Sequence, residues 1–485
     1  MEHTMHYDKI GRPTHQRVRH NGQTLYDKSY TWGDNLRLLR TFDTINRRSV
    51  RYDYDSFGSL SRAVYGDGSR QWRNPDLKGN VYDSPDRTDR NYGRGGQLRE
   101  DRKWRYYYDS HGNLVLKTMR RMEPSHNAKA RDEFLQWQSG DYAYTWQANG
   151  MLRSVTRPNG KTITFKYDAL GRRIEKVFDG RVYRYLWDGD VILHEWDYAE
   201  YDRPKTVVTE AGEVTLDRPE PIENLITWVY DSDSYIPTPK IVGDTHYSII
   251  SDYIGRPVLA YDDNGNIVWQ ADYDIYGNLR NLHGSRLFIP FRQLGQYEDE
   301  ETGLYYNRFR YYGPNTGTYI SQAPIGLAGN NPTLYGYVGD CNKWTDMFGL
   351  DMLALPAPTG KNPWESGEIV STTIPKGGLD IEMAMSPGQT RPGGWATTDK
   401  ITDVDFVRNK LAVTPEFKPE ISHVQKFHNP EGERFQIGTV RPQTDNGIIY
   451  EGGGNQIQIL IFEYRAKLEP IGKPRKIIYI PQIRN

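Results

Sequence analysis

Tyr108-Asp109-Ser110-His111-Gly112-Asn113-Leu114 is the stretch on which the fold turns. An aspartate favours the start of a tight turn, and a glycine supplies the positive φ that completes it. The apolar residue that follows begins a strand. The same unit returns as Tyr7-Asp8-Lys-Ile-Gly11-Arg12, Tyr54-Asp55-Ser-Phe-Gly58-Ser-Leu60 and Tyr167-Asp168-Ala-Leu-Gly171-Arg172. It returns again as Tyr261-Asp262-Asp-Asn-Gly265-Asn-Ile267 and Tyr273-Asp274-Ile-Tyr-Gly277-Asn-Leu279, with degenerate copies at Trp146–Leu152 and Tyr30–Leu36. The flanking runs alternate, as in Lys161-Thr-Ile-Thr-Phe-Lys-Tyr167 and Arg181-Val-Tyr-Arg-Tyr-Leu-Trp187. A period of two puts one face of each strand inward.

A single hairpin cannot bury its face, so the copies are predicted to stack into one continuous antiparallel sheet. The copies are unevenly spaced, which excludes a uniform propeller. A long sheet that curls on itself hides its edges. Its inner wall of Tyr, Arg, Asp and Trp is polar and aromatic, suited to enclosing a polypeptide; a solid β-solenoid with no lumen is the plainer alternative.

Composition divides the chain. Of 36 tyrosines, 33 fall in residues 1–350 and 3 in residues 351–485. Leu353-Ala-Leu-Pro-Ala-Pro-Thr-Gly-Lys-Asn-Pro363 reads as an extended linker, because proline excludes helix and stiffens the chain. The predicted organisation is a β-shell over 1–289, a distinct segment over 290–350, a linker over 351–363 and a small α+β domain over 364–485. The net charge of −1, from 62 basic and 63 acidic residues, argues against a large electrostatic footprint on nucleic acid or membrane. Cys341 is the sole cysteine, so an internal disulfide and a thiolate metal cluster are excluded. No run approaches the roughly 20 apolar residues that a bilayer-spanning helix needs, and Met1-Glu-His-Thr-Met-His6 lacks an apolar signal segment.

The Tyr-Asp-x-x-Gly-Arg/Asn units resemble the YD repeats of the Rhs and teneurin-like family. Gly295-Gln-Tyr-Glu-Asp-Glu-Glu-Thr-Gly-Leu-Tyr-Tyr-Asn-Arg-Phe-Arg-Tyr-Tyr312 and Pro324-Ile-Gly-Leu-Ala-Gly329 resemble that family's repeat-associated core domain. Asp346-Met-Phe-Gly-Leu350 resembles its Asp-Pro-x-Gly-Leu ending. The resemblance covers residues 1–350. It implies a β-cocoon around a variable C-terminal toxin, and self-cleavage after the Gly-Leu ending, here after Leu350. Family shells are usually much longer than this one.

Aspartyl-type cleavage needs one ionised carboxylate to activate water and one protonated carboxyl to donate to the carbonyl. By resemblance the pair would be Asp346 and position 323. Position 323 holds Ala323, within Ser321-Gln-Ala-Pro-Ile-Gly326. Alanine has no proton to give, so self-cleavage is expected to be lost. Ala323 reads as a replacement that traps the uncleaved chain, or as a natural deficiency. Asp340 is a weak substitute, and Asp346 also reads as a plain turn residue before Gly349.

In the tail, strands are predicted at 368–374, 421–427, 435–440, 456–464 and 476–480. A helix is predicted at 403–412, with Thr402 as its cap and Asp405 reaching back. Two glycine clusters stand out. The first is Ser386-Pro-Gly-Gln-Thr-Arg391-Pro-Gly393-Gly394-Trp395-Ala-Thr397-Thr398. It joins a guanidinium, an aromatic plane and two hydroxyls, a set that suits a phosphate-bearing ligand with a ring. A surface turn beside a packed tryptophan uses the same residues. The second runs from Val440-Arg441-Pro-Gln443 to Glu451-Gly-Gly-Gly454-Asn455-Gln456-Ile-Gln458, where glycines let backbone approach a ligand or simply make a loose hairpin.

Together the clusters resemble necrotizing-toxin-like NAD glycohydrolases, relatives of the ADP-ribosyltransferase fold. That resemblance implies catalytic roles for Arg391, on the NAD phosphates, and Gln456, at the scissile N-glycosidic bond. It implies NAD contacts from Trp395, Thr397, Thr398, Gly453, Gly454 and Asn455, with His423, His428 or Glu463 assisting. NAD is the substrate, and no metal is implied. A mono-ADP-ribosyltransferase acting on a protein or RNA is the alternative, although Gln456-Ile-Gln458 stands where a transferase would place glutamate. A nuclease is a second alternative, weakened by His423 and His428 lying five apart on a predicted strand, a poor metal-ligand geometry. A structural or adhesive tail is a third. The expected partners are a cognate immunity protein, a contact-dependent secretion apparatus with a chaperone, and NAD or protein in the target-cell cytoplasm.

Overall fold

The computed structural model describes residues 2–8, 12–33, 37–56, 58–122, 128–231, 234–326, 333–350, 353–354, 370–389, 392–415, 418–431, 434–445, 447–459 and 467–478. The chain is mainly β and divides into two compact units, Met1–Gly360 and Lys361–Asn485. The division falls inside the predicted linker. Within that segment Leu353–Ala354 is a short strand paired with Trp344–Thr345, so the linker's first residues belong to the first unit.

Among its described residues the first unit holds a seven-stranded antiparallel sheet, from Glu2–Tyr7 to Arg70–Trp72. A sixteen-stranded sheet follows, from Asn91–Tyr92 to Leu279–His283. Both run in sequence order, as stacked hairpins must. The hairpin of Thr206–Val208 and Val214–Leu216 stands apart from the larger sheet.

The repeat's chemistry is visible in each turn. Gly112 N–H donates to Asp109 O at 3.2 Å, and Asp109 N–H donates to Asn113 O at 2.9 Å. The Asp109 carboxylate accepts the N–H groups of His111 and Asn113, both at 2.9 Å. Asp168 repeats this with Leu170 and Arg172, and Asp274 with Tyr276 and Asn278. The fifth residue returns the contact: Arg172 Nε donates to Asp168 Oδ2 at 2.6 Å. Burial opposes ionisation of Asp168, but the Arg172 contacts outweigh it and hold the carboxyl below its ordinary range.

At several copies the aromatic residue that opens the turn reaches back to the previous hairpin. Tyr54, Tyr108, Tyr167 and Tyr273 donate their hydroxyls to the carbonyls of Leu38, Leu98, Leu152 and Pro257, at 2.7–3.1 Å. Trp32, Trp146 and Trp187 do the same through Nε1, to Pro13, Leu114 and Arg173, at 2.6–2.8 Å. The acceptors are equivalent positions, at or just beyond the preceding turn. The repeat therefore pins register from hairpin to hairpin as well as turning the chain.

Residues 290–350 fill the space against which the sheets pack. Leu304, Tyr306, Tyr311 and Tyr335 join Leu98, Tyr144, Val155 and Phe165 in one buried cluster. Tyr305, Tyr312, Tyr319 and Tyr337 join Leu60, Tyr65 and Tyr276 in another. Their hydroxyls find the repeat turns: Tyr335, Tyr306 and Tyr305 donate to the carbonyls of Gly112, Gly171 and Gly277, at 2.6, 3.2 and 3.1 Å. At Gly171 a Cβ would lie 2.8 Å from the Phe309 ring, so the turn glycine also admits this segment closely. Arg173, fully buried, pairs with Asp299 and lies within 5.3 Å of the rings of Phe165, Tyr185, Tyr297 and Tyr306. The aromatic inner wall thus encloses the chain's own segment here. A cavity of 340 Å³ remains between the seven-stranded sheet and the strands after Ile249.

In the second unit two sheets sandwich one core. Val370–Thr373, Arg434–Thr439, Asn455–Gln458 and Trp395–Ala396 form a four-stranded sheet. Leu379–Met385, His423–Asn429 and Glu469–Lys476 form a three-stranded one. Ile381, Met383 and Phe427 from the second sheet meet Ala396, Phe435 and Ile457 from the first.

Several sequence expectations are corrected here. Leu379–Met385 alternates plainly yet was not among the predicted strands. Glu469–Lys476, rather than 476–480, is the last described strand; its Pro470 and Pro474 are accommodated because it is a sheet edge. The predicted strand 456–464 is described as Asn455–Gln458 only, with 460–466 outside the described residues. The predicted helix is a single turn that widens to i→i+5 bonding over Phe406–Lys410, with Leu411 N–H donating to Phe406 O. Its cap is Asp403, whose Oδ1 accepts Phe406 N–H at 2.8 Å. Thr402 donates to Asp403, and Asp405 accepts from Asn409.

Candidate functional site

In the first unit the Asp346-to-Leu350 segment is threaded beside the strand Arg310–Gly313. Asp346 and Arg310 are both fully buried and pair at 2.9 Å. The same carboxylate oxygen accepts the Tyr319 hydroxyl at 2.8 Å, and the other accepts Leu350 N–H at 2.8 Å. Arg310 Nε donates to Gly349 O, and Asn307 Nδ2 donates to Asp346 O at 2.8 Å. Burial, then the neighbouring Asp346 charge, pushes the Tyr319 hydroxyl well above its ordinary range, so it stays a donor. The guanidinium gives the Asp346 carboxylate a buried counter-charge.

Ala323 is buried close by. Its N–H donates to Leu334 O at 2.8 Å, and that carbonyl also accepts Arg310 Nη1 at 3.5 Å. Position 323 is therefore one carbonyl away from the guanidinium that holds Asp346, and it carries a methyl group. Asp340 is buried elsewhere, accepting Asn342 N–H at 2.9 Å; burial raises its carboxyl. Leu350 is partly buried, and the residue after it is outside the described set.

In the second unit the two glycine clusters meet. Trp395–Ala396 pairs with Ile457–Gln458, and Thr397 Oγ1 donates to Asn455 O at 2.5 Å. Ala396, Phe435 and Ile457 point into the core, so Trp395, Gln436, Gln456 and Gln458 lie on the opposite face. Trp395, Gln458 and Gln436 stand directly across from one another on three adjacent strands. Gln456 sits one position along, opposite Gly438. The result is an amide-lined face with an indole at one end: donors and acceptors for a planar polar ligand, and a ring to stack on it.

The remaining predicted residues fall differently. Gly452, Gly453 and Gly454 use their N–H groups on Asn409 O, Val440 O and Lys410 O, at 2.7, 2.6 and 2.8 Å. A Cβ on Gly454 would lie 2.6 Å from Lys410 O. Gly454 therefore admits the end of the helical turn, while a Cβ on Gly453 would meet nothing within 4 Å. Thr397 is fully buried; its hydroxyl donates to Asn455 O and accepts Asp399 N–H, so it is a structural clasp, not a ribose contact. Thr398 is exposed, and Asn455 Nδ2 donates to it at 3.4 Å.

His423 and His428 sit on the other sheet, across the core. They contact Ser422 Oγ at 2.8 Å and Asp380 Oδ1 at 2.9 Å, away from the amide face. Arg391 and Glu463 lie outside the described residues. Gln436 was missed by sequence reading, since one glutamine inside an apolar strand gives no spacing signal. Among the described residues no cluster of three His, Cys, Asp or Glu side chains is placed to hold a metal ion, and no helix is long and apolar enough to cross a membrane.

A strip of Tyr-Asp hairpins clamped by its own tyrosine-rich segment defines a YD-repeat shell. The chain belongs to the teneurin YD-shell family, whose model matches residues 1–326. It is similar to the double-stranded DNA deaminase toxin A of Burkholderia cenocepacia (strain H111), 29% identical over 472 residues, covering 88% of this chain and 30% of that protein. It is also similar to the probable deoxyribonuclease RhsA of Dickeya dadantii (strain 3937), 32% identical over 261 residues, covering 53% of this chain and 16% of that one. A solved complex of Tne2 with Tni2 matches 24% of this chain and 98% of that chain, at 22% identity and a TM-score of 0.21. The chain spans less than a third of the length of these two curated relatives.

Proposed function

We propose that this chain is a toxin-delivery protein of the Rhs type. Residues 1–350 form the shell, and the C-terminal unit is an antibacterial effector that cleaves NAD at the nicotinamide–ribose bond. Membership of the YD-shell family supports the delivery role. The observation that carries the NAD reading is the amide face of Gln456, Gln458 and Gln436 ending on Trp395, formed where the two glycine clusters meet. Gln456 orients the reacting ribose, Trp395 stacks on a ring, and Thr398 with Asn455 borders the site. Arg391, four residues before Trp395, supplies the positive charge for the phosphates. The developing oxocarbenium-like ribose is stabilised by the oriented dipoles of the pocket.

A cognate immunity protein protects the producer, and a contact-dependent apparatus carries the chain to the cytoplasm of a target cell. Self-cleavage after Leu350 is silent in this chain because Ala323 cannot supply the second carboxyl. The printed names of the relatives, a DNA deaminase toxin and a probable deoxyribonuclease, favour a second reading in which the effector attacks nucleic acid.

The test is NAD consumption by residues 351–485 expressed alone, beside the Arg391→Ala/Gln456→Ala double variant. Rapid NAD loss in the wild type alone supports the proposal. Stable NAD beside a toxic wild type sinks hydrolysis, and degraded DNA or RNA in the same cells then moves the assignment to the second reading.

A further inference from the structure

The strand Arg434–Thr439 carries a side chain whose chemistry is unfinished. Gln436 is 1% exposed, and its Nε2 is buried with no hydrogen-bond partner among the described residues. A buried amide donor left unpaired is costly, so a fold that keeps one there carries a standing penalty. The neighbours Phe435 and Ile437 face the apolar core, while Gln436 faces the other way. On that side it stands directly opposite Gln458, which stands opposite Trp395. Adjacent strands lie about 4.8 Å apart, so indole, amide and amide form a row of about 10 Å. That is the length of a planar heteroaromatic ring with one exocyclic group.

We propose that Gln436 is a ligand-binding residue that fixes the carboxamide end of the nicotinamide ring, with its Nε2 donating to the carboxamide oxygen. This deepens the NAD reading and rests on it. A ring lying along the row meets Trp395 at one end and the Gln436 donor at the other. A hydrogen-bonding site of this kind rejects ligands that lack the matching acceptor more strongly than an apolar pocket rejects a size change. Gln436 then sets which ring is accepted, while Gln456 acts at the bond to ribose.

The experiment uses the full chain and the Gln436→Leu variant, which keeps similar volume and removes the donor. Nicotinamide and ADP-ribose, the two halves of the substrate, are titrated separately by calorimetry, and the melting temperature is recorded for both proteins. The expected result is a loss of nicotinamide affinity of about 10-fold or more, with ADP-ribose affinity unchanged and a melting temperature equal to or above wild type. Equal nicotinamide affinity in both proteins overturns the assignment of Gln436 and leaves the NAD reading standing. A lower melting temperature in the variant also overturns it, since the amide is then structural. A wild type that binds neither half removes the NAD reading itself, and the ligand assigned to Gln436 with it.

Discussion

Replacing Asp346 by alanine is expected to destabilise the first unit sharply. Asp346 and Arg310 are both 0% exposed, and the carboxylate accepts from Arg310, Tyr319 and Leu350 N–H. Without it the guanidinium keeps only carbonyl acceptors and no counter-charge. Breaking a buried pair by removing one partner costs about 3–5 kcal/mol. Unfolding entropy near the melting point is about 2.1 cal/mol/K per residue. Over the 360 residues of the unit that is about 0.75 kcal/mol/K, so the melting temperature should fall by about 4–7 °C.

Scanning calorimetry of the full chain reads this directly, with the transition of residues 361–485 as an internal reference. The double replacement Asp346→Leu/Arg310→Met removes both charges and should recover most of the loss, because a buried pair exchanged for apolar side chains is often neutral. A single variant that melts within about 1 °C of wild type would refute the reasoning. So would a double variant as unstable as the single one, which would show that shape rather than charge holds the segment.

Ala323→Asp should restore cutting after Leu350, giving fragments of residues 1–350 and 351–485 on a denaturing gel; an intact chain after prolonged incubation, with Asp346 present, rules the pair out. Tyr167→Phe removes a hydroxyl that donates to Leu152 O and meets the Tyr311 hydroxyl, both at 2.8 Å, and should cost roughly 1–2 kcal/mol by urea unfolding; no change would show that the backward hydrogen bonds do not hold the hairpins. Burial lowers Lys117 and Lys240 each to about 8. Between about pH 8 and 10 the unfolded chain therefore binds more protons than the native one, and stability should rise with pH. Above about pH 10 the tyrosines ionise in the unfolded chain while buried ones such as Tyr306, raised to about 12, keep their protons, so stability should then fall. A steady decline in melting temperature from pH 8 upward would contradict the lysine assignment.

The turns of the first unit were legible because Asp109, Gly112 and Asn113 act on one another within five residues. The same holds at Asp168, Asp262 and Asp274. Partners far along the chain were not legible: Arg310 meets Asp346 across 36 residues, and only the folded strands bring them together. Gly454 announced a close approach but not what approaches, and the guest is the helical turn ending at Lys410. Thr402 and Asp403 are both good caps by chemistry, and the choice between them is set by where the turn begins. In the second unit the two clusters were joined in the sequence only by a resemblance, and the pairing of Trp395–Ala396 with Ile457–Gln458 is what brings them together. Gln436 was not, because its meaning lies in what it fails to touch.

The aromatic hydrogen bonds between hairpins have a direction. Each ring reaches toward chain that a ribosome has already made: Tyr54 to Leu38, Trp146 to Leu114, Trp187 to Arg173, Tyr273 to Pro257. At these copies a new hairpin thus emerges to find its acceptor in place, and the strip can lengthen in step with synthesis. Some tyrosines after residue 290 behave otherwise. Tyr306 reaches back 135 residues and Tyr335 reaches back 223, to turns completed long before. They lock hairpins that are already assembled, so the shell grows from its N-terminal side and is fastened last, just before residues 361–485 are translated.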